Sequence, residues 1–333
     1  MQPSSERSRG SNIAREPRNL WVQAESILAI SRVVSNLARA ETFYRSALGF
    51  KKVSSGPTDP ELLKVLGAAG HTANEVRLRL GEEDLVLVQF DSPGREYPKG
   101  SQSSDLWFQH LAIVVSDMGR GYDRLRSTEG WRPISAEGPE TLPPSSGGVR
   151  AFKFRDPDDH PLELLWLPPG RGRPEWQDRS RATPSDEPFL GIDHSAIAVS
   201  STRRSLAFYG SLGMQVSDRT LNSGPEQSRL DGLPSARLRV TGLRPASVFG
   251  PGLELLAYRP AGRARETSGV TDLSTDWTTL SAVMAGSSSL VSASGSGRES
   301  GPEPLKRTVA VSDPDGHRFL LVSHGIGSLG RPA

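Results

Sequence analysis

Three stretches of this chain change period at the same point. In Gly191–Leu212 (GIDHSAIAVSSTRRSLAFYGSL), residues 194, 196, 198 and 200 alternate with 195, 197 and 199, which is the period of an extended strand with two distinct faces. The polar run Ser200–Thr202 follows, then the helical spacing of Leu206, Phe208 and Tyr209, and a glycine stop at Gly213. Such a polar run caps a helix N-terminus. Ile27–Phe50 (ILAISRVVSNLARAETFYRSALGF) and Phe108–Leu125 (FQHLAIVVSDMGRGYDRL) repeat the plan. Aligned on the helix start, Asn36, Asp117 and Ser201 correspond. Seven positions earlier stand Ala29, His110 and His194.

Further strands follow each start. Asn74–Leu80 and Leu85–Phe90 flank the hairpin turn GEED, residues 81–84. Val149–Arg155 and Pro161–Leu167 flank the turn DPDDH, residues 156–160, and Thr308–Val322 repeats that strand, DPDxH turn and strand. Leu253–Tyr258 (LELLAY) closes the third copy. The fourth copy has an obscure beginning in the Ser/Ala/Gly-rich Thr278–Val291, with a helix near Ser287–Val291 and a flexible loop over Ser292–Pro304. Four copies of about 60–70 residues form an internal-repeat architecture, in which copies must pair to bury an apolar sheet face. The expected organisation is a disordered tail over 1–24, a first domain over 25–168, a Pro/Gly/charge-rich linker over 169–188 and a second domain over 189–328.

Composition removes several function classes. Forty basic and 38 acidic residues leave a net charge of +2, so no nucleic-acid partner is expected. The absence of cysteine excludes disulfides, thiolate metal sites and cysteine nucleophiles. No apolar run reaches membrane-spanning length, and the Arg-containing N-terminus lacks a signal-peptide apolar segment. No membrane association is expected, and cytoplasm is the default location.

The segments IDHSAIAVSS…AFYGSLGM, FQHLAIVVSDM, FRDPDDHPLELLWL, LELLAY and VSDPDGHRFLLV together resemble the vicinal oxygen chelate superfamily, also known for glyoxalases, bleomycin-resistance proteins and extradiol dioxygenases. The resemblance spans about residues 27–325. It implies an α+β fold of tandem glyoxalase-like domains, with four βαβββ modules whose paired, cupped mixed sheets surround a divalent metal. In such modules the first strand carries one ligand, often His, and the last strand another, usually Glu. The resemblance therefore assigns His110 and Glu163 to module two, and His194 and Glu254 to module three. Module one has Ala29 and Val86 at these places. Module four has Leu320, seven residues after Asp313 as Glu163 is seven after Asp156. By likeness to single-chain four-module glyoxalases, two pairs with three and one with four, giving one complete quartet. The alternative pairing, one with two and three with four, leaves two ligands per cup.

Imidazole and carboxylate donors suit Ni, Co, Fe, Mn or Zn. Such an ion could polarise a carbonyl while a carboxylate removes a neighbouring proton. Likeness to glyoxalases makes Glu163 the first choice for that base, with Glu254 opposite. The expected function is a glyoxalase-like lyase or isomerase acting on a small oxygenated substrate. Glutathione-using members commonly have an arginine four residues after a first-strand ligand. Here those places are Val33, Val114 and Ala198, and Arg32 is one position off and faces the other side of its strand, so a glutathione adduct is not expected. An extradiol-type dioxygenase and a metal-free binding or resistance protein are the alternatives. His160, His317, Asp156, Asp158, Asp313 and Asp315 read as turn residues. His71 and His324 lie in polar or terminal segments, and Trp107, Phe108 and Trp166 read as pocket or core. A chain with four modules can satisfy its own pairing, so a monomer is expected.

Overall fold

The computed structural model of the chain describes residues 21–182, 186–247, 249–265, 269–285 and 307–323. Module one comprises β1 (Trp21–Val33), α1 (Leu37–Leu48), β2 (Lys51–Pro57), α2 (Pro60–Val65), β3 (Ala73–Leu80) and β4 (Glu83–Phe90). Module two comprises β5 (Gln109–Val115), α3 (Met118–Arg126), β6 (Arg132–Pro133), β7 (Glu140–Thr141), a 3-10 turn at Pro144–Ser146, β8 (Arg150–Arg155) and β9 (Pro161–Trp166). After α4 (Pro174–Ala182), module three contains β10 (Phe189–Ala198), α5 (Thr202–Ser211), β11 (Gln215–Ser223), α6 (Pro225–Asp231), β12 (Arg237–Arg244) and β13 (Gly252–Tyr258). Module four contributes β14 (Asp276–Ala285), β15 (Arg307–Ser312) and β16 (Arg318–Ser323).

The three aligned polar residues do cap helices. The side chains of Asn36, Asp117 and Ser201 accept from the amides of Arg39, Arg120 and Arg204 at 2.8, 2.9 and 3.4 Å, each satisfying an otherwise unpaired first-turn N–H. Two departures from expectation appear at the edges of modules. Residues 21–24, expected in the tail, begin β1. The expected linker contains α4, whose one buried apolar residue, Trp176, gives no period to read. The guanidinium carbons of Arg173 and Arg179 lie 4.2 and 4.8 Å from the Trp176 ring centroid, docking this helix by cation–π contact. The segment near 287–291 and His324 lie outside the described residues. Among the described residues no helix is long and apolar enough to cross a membrane.

Two mixed sheets result, with orders β15-β16-β14-β1-β4-β3-β2 and β11-β12-β13-β10-β5-β9-β8-β6. Module one thus joins module four, and module two joins module three. Strand alternation divides each sheet into two faces. Leu111, Ile113, Ile197, Val199, Ile27 and Leu280 face one continuous core shared with residues of α1, α3 and α5. His110, Ala112 and Ala196 alternate with these and face the concave side.

The DPDxH turns bind the sheets to each other. Asp156 accepts from the amides of Asp158 and His160, from the His160 ring and from Tyr44 Oη at 2.8 Å. Asp313 repeats this with Asp315, His317 and Tyr209 Oη at 3.0 Å. Ser35 donates to Asp158, and Ser200 to Asp315, so each turn reaches into the opposite sheet. Burial opposes ionisation of Asp156, but His160, Arg32 and the Tyr44 hydroxyl outweigh it and hold its pKa at about 2, against 3.8 normally. Because the folded value is the lower one, this stabilisation is complete above about pH 4 and is lost as pH falls toward about 2. Asp156→Asn should therefore cost about 2 kcal/mol at neutral pH and flatten the acid limb of the stability curve. Urea unfolding at a series of pH values measures both, and an unaltered acid limb would refute the carboxylate's role.

Candidate metal centre

β5 and β10 lie side by side and antiparallel, with His110 opposite Ala196 and Ala112 opposite His194. The two imidazoles are therefore diagonal neighbours on one face, with ring centroids 5.8 Å apart. The parallel partners complete the arrangement. β9 sets Glu163 opposite Ala112, and β13 sets Glu254 opposite Ala196. In both modules the glutamate faces the residue two beyond the histidine. The hydrophobic pattern of the strands thus brings all four sequence-chosen residues onto one concave face.

The donor atoms converge. His110 Nε2 lies 3.1 Å from Glu163 Oε2, His194 Nε2 lies 3.9 Å from the same oxygen, and Glu254 Oε2 lies 3.4 Å from His194 Nε2. One ligand atom from each of His110, Glu163 and His194 falls within 4.8 Å of the others. Ligands bound at about 2.0–2.2 Å to one ion stand roughly 3–4 Å apart, so the donor set fits a divalent cation. His194 Nε2 and His110 Nδ1 are buried without a hydrogen-bond partner among the described residues. A buried polar atom left unpaired is costly, and an ion between the imidazole and the carboxylates would satisfy the first.

The surroundings orient and differentiate these four side chains. A register shift between Ile192 and His194 marks a bulge, a local device that re-aims a side chain. It places Asp193 Oδ2 3.0 Å from His194 Nδ1, a carboxylate brace that fixes Nε2 as the free nitrogen. Asp193 is itself held by the indole N–H of Trp176 at 2.6 Å and by Arg173 at 3.5 Å, so α4 supports the ligand strand. Burial opposes charge on His194, but Glu254 and Asp193 overcome it and raise its pKa to about 9. Burial lowers His110 to about 4. Metal binding displaces a proton from an imidazolium, so His194 would release one and His110 would not.

The glutamates differ for a reason visible in the sheet. Glu163 has Lys153 across the ladder on β8. Burial resists its ionisation, yet His110 and Lys153 hold it at about 2. Glu254 has Gly242 across the ladder on β12. An added Cβ at Gly242 would meet an Asp218 side-chain oxygen at 2.0 Å, so the glycine admits that second acid. Burial raises the Glu254 pKa, with Asp218 and Glu163 adding to it against His194. A cavity of about 470 Å³ opens over these four side chains, with Lys153, Asp218, Asn222 and Arg244 also in its wall.

The other cup is filled. By the same register Val86 faces Ser31, two beyond Ala29, and Leu320 faces Thr279, two beyond Trp277. Trp277 therefore occupies the histidine place of module four. Ala29, Val86, Trp277 and Leu320 belong to one buried apolar cluster with Leu63, Val88, Phe90, Tyr97 and Trp107. Trp107 thus packs in this second cup, Phe108 is buried with its ring centroid 5.8 Å from that of His110, partly buried Trp166 packs against the main core, and none of the three lines the cavity over the four side chains. His160 bonds within its turn, His317 Nε2 lies 3.0 Å from Ala198 O, and His71 is exposed. The sequence reading missed Lys153, Asp193, Asp218 and Asn222. Lys153 left a trace, as a charge between Phe152 and Phe154 in a strand whose partner carries Glu163.

Residues 26–164 match the family described as Glyoxalase/Bleomycin resistance protein/Dioxygenase superfamily. No curated protein sequence matches the chain. Among solved structures, a mutant of glyoxalase I from Zea mays is similar over 90% of this chain and 92% of that one, at TM-score 0.56 and 16% identity. Glyoxalase I from Zea mays itself gives 0.52, with the same coverages and identity. A protein from Bacillus subtilis, provisionally titled a dioxygenase, gives 0.52 at 12% identity, over 91% of this chain and 86% of that one. Residues 26–164 thus match the glyoxalase, bleomycin resistance protein and dioxygenase superfamily, and the chain is similar in fold to glyoxalase I along nine-tenths of its length.

Proposed function

We propose that the cup between modules two and three is a glyoxalase-like metalloenzyme site, held by His110, Glu163, His194 and Glu254 and acting as a lyase or isomerase on a small oxygenated substrate. The convergence of the four donors on one face of the sheet, below a cavity, supports this reading. A divalent ion there would supply Lewis acidity toward a substrate carbonyl. The chain's own groups divide the remaining work. Glu163, kept ionised by His110 and Lys153, holds charge in place. Glu254, half-buried and beside Asp218, is the better proton acceptor from a carbon next to the carbonyl, so the geometry favours Glu254 over Glu163 as base. A glutathione adduct is disfavoured. Val33, Val114 and Ala198 are buried, and the guanidinium of Arg32 is fully buried against Asp276 and Tyr44.

Elemental analysis of purified wild type beside His110→Ala and His194→Ala tests the reading. We expect about one divalent ion per chain in wild type and loss of it in both variants, because each imidazole is one of only four protein donors in a site that also keeps a position open for substrate. Metal retained by both variants would end the proposal. The compact His110–Glu163–His194 set also matches the two-His, one-carboxylate arrangement of non-haem iron oxygenases. Oxygen uptake with catechol by Fe(II)-loaded protein would put an extradiol-type reaction first.

A further inference from the structure

The cavity wall holds a buried polar chain that begins at Lys153, the ladder neighbour of Glu163. Lys153 Nζ lies 2.7 Å from Asp231 Oδ1, with side chains 4% and 0% exposed. Asp231 Oδ2 accepts from Gln227 Nε2 at 2.8 Å, and Gln227 Oε1 accepts from Asn222 Nδ2 at 3.1 Å. The Asp231 carboxylate can only accept, so it fixes the orientation of both amides in turn. The chain ends on Asn222 Oδ1, which is buried and has no donor among the described residues. Lys153, Gln227 and Asn222 all line the cavity over the metal ligands. An ammonium has three donors, and Asp231 takes one.

Stability alone does not account for this chain. A buried ion pair is seldom better than two apolar groups of similar volume, and an unpaired amide oxygen is a net cost. Both are explained by a ligand that presents an acceptor at one end and a donor at the other. We propose that Lys153 and Asn222 are specificity-determining residues of this cup. Lys153 takes a carboxylate oxygen of the substrate, and Asn222 Oδ1 takes a hydroxyl. The substrate class is a small hydroxylated carboxylic acid. This rests on the reading of the cup as the substrate site, and names what that site selects.

Isothermal titration of the purified, metal-assayed protein with malate and with succinate separates the two contacts, because the acids differ by one hydroxyl. Wild type should bind malate about tenfold or more tighter than succinate. Asn222→Leu should erase that preference. Lys153→Met should weaken both acids about 10- to 100-fold when compared with wild type at equal metal occupancy, and Lys153→Arg should recover part of the loss. If Lys153→Met fails to fold because Asp231 is left unpaired, the double variant Lys153→Met, Asp231→Leu replaces the pair with apolar groups and carries the same expectation. Equal affinity of Lys153→Met and wild type, a malate preference that survives Asn222→Leu, or no binding of either acid to wild type would overturn the proposal. Metal content, read on the same samples, reports separately on the metal centre.

Discussion

Truncating Trp277 to alanine should destabilise the folded chain by about 3–5 kcal/mol, the largest loss expected from any single apolar substitution outside the main core. Trp277 is 2% exposed and stands where the register would place a histidine, in a cup with no ligand partners for one. Its indole fills that space beside Ala29, Val86 and Leu320. Removal leaves a hole that small neighbours close poorly, so the cavity penalty adds to the lost burial. Urea or thermal unfolding measures the effect, and the metal content of the other cup should not change. A cost below about 1 kcal/mol would mean that the second cup is not a packed core.

The second large effect separates the two glutamates. Glu254→Gln should lower proton abstraction from carbon by about a hundred- to ten-thousand-fold, while its amide oxygen retains most of the bound ion. Glu163→Gln should lose the ion, because its charge is what His110 and Lys153 are arranged to hold. Exchange of the carbon-bound hydrogens of hydroxyacetone into D2O, followed by NMR, reads the first effect, and elemental analysis reads the second. Equal behaviour of the two variants would remove the distinction drawn from Lys153 and Gly242.

Local pattern carried much of the architecture. Asn36, Asp117 and Ser201 announce three helix starts because capping is a local interaction. The DPDxH turns announce two strand pairs because Asp156 and Asp313 fold back onto amides two and four residues ahead. Equal spacing from those caps sets His110 and His194 in one register, and it is the family resemblance that then implies a ligand role for them and for Glu163. What stayed hidden depends on partners distant in sequence. Trp277 acquires its meaning only from its place opposite Ser31. Lys153 and Asp231 meet across 78 residues, Asp193 turns toward His194 only through a bulge, and α4 is held by cation–π contacts that have no period.

The strand order also has a consequence for biosynthesis. The sheet that carries His110 and His194 is assembled from residues 109–258, adjacent in the chain, whereas β1 meets β14 only across more than 240 residues, as in the pairing of Arg32 with Asp276. A growing polypeptide can therefore close the inner sheet first, while β1 waits beside β4 with one edge unpaired. Contacts of such long separation close slowly, and an open strand edge invites association with other chains. Incomplete products that stop before residue 276 should be the aggregation-prone species of this protein.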